Sequence, residues 1–263
     1  MKKTTSLLLA VLLLLSAMMF TSCEHAEAYM AFTDAMKKTD SLDSYECNIK
    51  IDQQISAQGL YSSISAAAGY TSEYNIKASG LNSDTPAYCG TMRVGFGSQK
   101  LDISVYNKDG YAYYVIGQKK IKSDIKSAVS IDYNLSDMID RITVELPEDV
   151  LKDVELIKNS DGTKTINLAL STEQFIASFK QLSEYVSVTD NTSIDDIRLS
   201  IIITADGYIS RFTITFKADV QFATYGIPSI STLITAEVEY VNPGTPVEVK
   251  LPDDLNDYTE SAE

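Results

Sequence analysis

The chain has 263 residues, 36 of them acidic and 22 basic, a net charge of −14 and a hydrophobic content of 44%. An acidic excess of that size, spread along the chain, repels nucleic-acid phosphates and anionic headgroups, which excludes DNA and RNA as partners. The apolar content suffices for a sizeable core, so disorder is not the expectation.

Lys2 and Lys3 open the chain, an almost wholly apolar run follows from Leu7 to Phe20, and Thr21-Ser22-Cys23 closes it. That run of 14 residues falls short of the roughly 20 needed to span a bilayer. A basic n-region, an apolar h-region and small residues before a cysteine make residues 1–22 a secretory leader of the lipoprotein kind. The segment resembles a bacterial lipobox, with Phe20 in place of the usual leucine. Cys23 is then the lipid anchor, since a thiol just past the cleavage point can take diacylglycerol. Each buried acyl CH₂ contributes about 0.8 kcal/mol, so two or three chains hold firmly to the membrane. The plainer reading is an ordinary signal peptide with Cys23 incidental. Removing residues 1–22, which carry two lysines and no acid, takes the net charge from −14 to −16.

Residues 23–28 form a short tether, 29–257 one α+β domain and 258–263 an acidic tail. Ala26–Thr39 reads as a helix, with Tyr29, Phe32, Ala35 and Met36 at three- and four-residue spacing. From Tyr45 to Ile55 the period becomes two: Tyr45, Cys47, Ile49, Ile51 and Ile55 share one face, while Glu46, Asn48, Lys50, Asp52 and Gln54 share the other. Residues 56–69, rich in Ser, Ala and Gly, read as a surface loop or a flap. Strand patterning resumes at Tyr70–Ala78, Tyr88–Phe96, Leu101–Tyr106 and Tyr111–Ile116. Asp-Gly pairs at 109–110, 161–162 and 206–207 sit between strand-like runs, the signature of hairpins in an antiparallel meander. The later runs are Val154–Lys158, Thr165–Leu170, Leu199–Thr204, Tyr208–Phe216, Ile230–Tyr240 and Val247–Leu251. Ser136–Val144 reads as a short helix. Thr172–Val188 is the stronger internal one, with Ser171 and Gln174 spaced as a capping box and Phe175, Phe179, Leu182 and Val186 on one face.

Histidine decides most of the chemistry. The only one is His25, two residues from the anchor, so the domain has no imidazole to activate a serine or cysteine or to bind zinc. No metal site and no cofactor is expected. The acids at Asp190 and at Asp195-Asp196 lack the alternation and the turn glycine of an EF-hand, and read as a solvated loop. Cys47 and Cys89 are the cysteines left after the anchor; their strand positions place one toward the core and the other toward water, against a disulfide. There are sixteen tyrosines and no tryptophan, with Tyr106, Tyr111, Tyr113 and Tyr114 about one hairpin. Cross-strand packing explains that cluster more simply than a gripping surface does.

The order of these features resembles that of the bacterial lipoproteins with a LolA- or LprG-like fold, particularly those of Gram-positive anaerobes. It is carried by lipidated Cys23, a helix ending before Ser41-Leu42-Asp43-Ser44-Tyr45, the hairpins Asp109-Gly110-Tyr111-Ala112-Tyr113 and Asp206-Gly207-Tyr208-Ile209, and Pro246-Val247-Glu248-Val249-Lys250-Leu251-Pro252. The resemblance implies a strongly curved antiparallel sheet, a half-barrel wrapped around a few helices, whose apolar interior can hold lipid. Ile49, Ile51, Val94 and Phe96 on the sheet, facing Phe175, Phe179 and Leu182, are the candidate ligand-binding residues. The same side chains would serve equally as a dry core. The expected function is non-catalytic binding of an apolar or amphiphilic ligand at the membrane surface; the alternative is an envelope interaction or structural module.

Overall fold

The computed structural model describes residues 26–57, 69–96, 99–124, 154–178, 192–220 and 230–260. Cys23, the expected helix at Ser136–Val144, Phe179, Leu182 and most of the 56–69 stretch lie outside these residues.

Helix α1 (26–40) is followed by six strands: β1 (Ser44–Ala57), β2 (Tyr70–Ser79), β3 (Ala87–Phe96), β4 (Gln99–Lys108), β5 (Tyr111–Ile116) and β6 (Lys119–Asp124). Each pairs antiparallel with the one before it. A second meander follows: β7 (Val154–Lys158), β8 (Lys164–Leu170), helix α2 (Thr172–Ser178), β9 (Thr192–Ile203), β10 (Ile209–Val220) and β11 (Ile230–Tyr240). It begins at the far edge and works back until β11 pairs with β1. A two-residue β12 (Thr259–Glu260) lies beside β6 and runs parallel to it. The result is one curved, unclosed twelve-stranded sheet, half-barrel in outline.

The sheet is therefore mixed rather than wholly antiparallel, because its last strand enters from a crossing segment rather than a hairpin. The strand expected at Val247–Leu251 is also absent: 246–252 joins no ladder. Pro246 and Pro252 bracket it, and proline cannot donate to a ladder. β6 was not expected, since Lys119, Lys120 and Lys122 mask its alternation. All three Asp-Gly pairs lie at hairpin turns, and their glycines take φ of 82°, 84° and 84°. At the first of these Asp109 is also left-handed, at φ 52°, as a type I′ turn requires.

The expected loop about Asp195-Asp196 is instead the start of β9. A bulge there sets Asp196 at φ 53°, and the pairing register shifts between Thr215 and Lys217 of β10. The extra residue lets Ile194 and Ile197, three apart, both be buried. The capping box of α2 forms as expected: the Ser171 amide donates to Gln174 Oε1 at 2.8 Å, and the Gln174 amide to Ser171 Oγ at 3.2 Å.

Helix α1 crosses the inner face of the second meander. At one end Glu27 pairs with Lys158 of β7 at 2.7 Å. At the other, Thr39 Oγ1 accepts the Ile209 amide of β10 at 2.9 Å. Between them Ala28, Phe32 and Ala35 are buried in the core. α2 adds Phe175, whose ring lies 5.1 Å from that of Phe216, and both are 0% exposed.

Candidate ligand-binding face

Register turns the inner face of β1–β4 and β11 into rows running across the strands. One row reads Tyr240, Cys47, Ile76, Gly90, Val105; the next Val238, Ile49, Tyr74, Met92, Ile103; the next Ala236, Ile51, Ser72, Val94, Leu101; and the next Ile234, Gln53, Tyr70, Phe96, Gln99. The rows open progressively. Cys47, Ile76 and Val105 of the first are fully buried. In the second Val238, Ile49 and Ile103 are buried while Tyr74 and Met92 are not quite covered. By the third, Ala236, Ile51 and Val94 are half-buried and Leu101 is 47% exposed. The fourth is polar at Gln53, Tyr70 and Gln99 and reaches the surface at Gln99.

Charge is absent from this wall. Every Lys, Arg, Asp and Glu of these five strands occupies an outer-face position, where Lys50 pairs with Asp52 at 3.0 Å, Lys77 with Glu46 at 3.3 Å and Arg93 with Asp102 at 2.7 Å. The Arg93 guanidinium holds the Asp102 carboxyl below the usual carboxylate range. Such exposed pairs contribute little to stability, but they keep the charged residues on the wet side. Cys47 faces in and Cys89 faces out, and neither is bonded to the other. Burial pushes the Cys47 thiol up to about 12, with a smaller contribution from Glu46. Burial likewise raises Tyr240, whose ring meets that of Tyr45 edge-on at 5.7 Å.

The structure thus brings Ile49, Ile51 and Val94 onto one wall, with Ile51 and Val94 on either side of Ser72. Phe96 pairs through its backbone with Tyr70 and Gln99 at the next row. Phe175 is seated elsewhere, on Phe216 under the second meander. Tyr74, Met92, Leu101, Ile234, Ala236 and Ser72 were not singled out from the sequence. The alternation of Tyr70, Ser72, Tyr74, Ile76 and Ala78 does put them on one face, but only register shows which rows stay open.

The tyrosine hairpin splits between faces. Tyr114 is buried in the core, while Tyr113 packs outside against Tyr258 with ring centres 5.5 Å apart. Lys122 lies over Tyr111 at 3.8 Å. Among the described residues no group of His, Cys, Asp or Glu is placed to hold a metal, and no helix is long and apolar enough to cross a membrane.

No protein-family model and no curated protein matches this chain. Among solved structures, LprF from Mycobacterium bovis is similar with a TM-score of 0.48 and 11% identity, over 86% of this chain and 97% of that one.

Proposed function

We propose that the chain is a lipoprotein, held to the outer side of a bacterial cell membrane by acyl chains on Cys23, that binds a lipid-like ligand non-covalently. The observation that carries the binding half of this reading is the graded inner wall. Its third row leaves Ile51, Val94, Ala236 and Leu101 partly uncovered, on a face free of charge. Apolar surface left open to water at about 25 cal/mol per Å² favours an occupant that covers it. A wall whose hydroxyls and thiol have no carboxylate, lysine, arginine or histidine on the same face to activate them suits binding rather than catalysis. Ile49, Ile51 and Val94 would line the site, with Phe96 paired in the next row of the sheet.

The interaction-module alternative relies on a tyrosine-rich surface. Tyr113 and Tyr258 cover one another, each 8% exposed, which removes the centre of that surface.

Two measurements test the reading. Nile red titrated into residues 24–263, which hold every described element, should show saturable, blue-shifted fluorescence near one site per chain. A signal that rises linearly without saturating rules the ligand site out. For the anchor, Cys23→Ala should release the chain from the membrane fraction of a bacterial host; retention of the variant would rule Cys23 out as the lipidated residue.

A further inference from the structure

Ser72 sits in the third row of the open wall, directly between Ile51 and Val94. It is 1% exposed, although both flanking side chains are partly open. It is the shortest polar side chain of the wall and lies between the longer apolar side chains of Ile51 and Val94 in its row. Among the described residues its Oγ has no hydrogen-bond partner. A buried hydroxyl without a partner is destabilising, because folding strips away its water and returns nothing. A group of that kind calls for a physical explanation, and a bound molecule that satisfies it is one.

The surroundings restrict what can do so. The inner face of β1–β4 and β11 carries no cation, and an ionised carboxylate in an apolar site without a counter-charge is strongly disfavoured. Apolar side chains flank Ser72 on its own row, while Gln53 and Tyr70 stand one row toward the surface, as direct cross-strand partners. The wall therefore runs from apolar, through one hydroxyl, to an uncharged polar rim. Deepening the ligand-binding reading on which it rests, we infer that Ser72 is the specificity-determining contact of this wall. Its hydroxyl donates to an uncharged carbonyl carried on an apolar chain, and the site selects against the free carboxylate of the same chain length.

Displacement of Nile red from residues 24–263 at pH 8 by methyl palmitate, palmitate and hexadecane tests this. Methyl palmitate should displace the dye at roughly tenfold lower concentration than palmitate. Ser72→Ala should weaken methyl palmitate roughly two- to tenfold, the ordinary worth of one neutral hydrogen bond, and leave hexadecane unchanged. Ser72→Thr, which keeps the hydroxyl on a strand-compatible residue, should retain the ester preference. The empty Ser72→Ala chain should melt at or above the temperature of the parent, since it loses an unsatisfied buried group. Equal displacement by ester and carboxylate, or an unchanged ester affinity in a folded Ser72→Ala chain, overturns the assignment while leaving the ligand site in place. Failure of the parent chain to take up the dye at all brings down the ligand site, and this assignment with it.

Discussion

Ile201 and Ile51 are both inner-face isoleucines of one sheet, and they differ in what covers them. Ile201, in the second meander, is 0% exposed beside Ile166 and Phe212, in the buried cluster that also takes in Phe32 of α1 and Phe175 of α2. Ile51, at the first meander's seam with β11, is only half-buried between Ala236 and Ser72. The same residue type in the same kind of strand is structural in one place and available in the other. Strand pattern makes a face apolar; the elements laid over it decide whether that face is core or binding surface.

Substitutions can break that contrast. The largest effect belongs to the covered half: Phe216→Ala, which strips the ring beneath Phe175, should cost about 3–5 kcal/mol in urea unfolding. A loss below about 1 kcal/mol would mean that this half is not a packed core. A thiol scan measures the gradient along one strand. Cys47, pushed up to about 12, carries little thiolate at pH 8, since a thiol must deprotonate to react. It should resist iodoacetamide until the chain unfolds or the pH climbs toward that value. An Ile51→Cys chain with both native cysteines of the domain replaced by alanine should react on the order of a hundredfold faster at the same pH. Equal rates would erase the difference between the first and third rows.

Ile51→Trp sharpens the other side of the contrast. It should raise the Nile red dissociation constant about tenfold while shifting stability by about 1 kcal/mol or less, as expected for a partly exposed site. Unchanged dye affinity would place the ligand elsewhere. The smallest effect concerns how α1 is pinned over β7. The Lys158 hydrogen bond holds the Glu27 carboxyl below its ordinary range. Its contribution is therefore present above the unfolded carboxylate pKa and is lost as pH falls through the lower folded one. Lys158→Ala should cost well under about 1 kcal/mol at neutral pH, less in high salt, and nothing once Glu27 is protonated. A large salt-independent loss would show that the pair does more than tether the helix.

Much of the fold was legible because its signals are local. The alternation from Tyr45 to Ile55 marked the inner face of β1, the Asp-Gly pairs marked three turns, and Ser171 with Gln174 marked the start of α2. What was missed depends on distant partners. β6 is lysine-rich and becomes a strand because β5 offers it a ladder. β9 begins early because a bulge at Asp196 corrects its phase, and nothing in the acidic run from Asp190 signals that. Val247–Leu251 has strand propensity but joins no ladder. The candidate site was legible only as a face: residue type put Ile49, Ile51 and Val94 on an inward side, but the place of Ser72 between Ile51 and Val94 comes only from the row that register assembles around it.

The most direct measurement is native mass spectrometry of residues 24–263, purified from a bacterial host without detergent and followed by organic extraction. A stoichiometric adduct that releases a lipid-like molecule is the expected result, and Ile51→Trp should lower its occupancy. A clean apo mass, together with no uptake of added methyl palmitate or Nile red, would contradict the central claim and leave the open wall as the edge of a dry core.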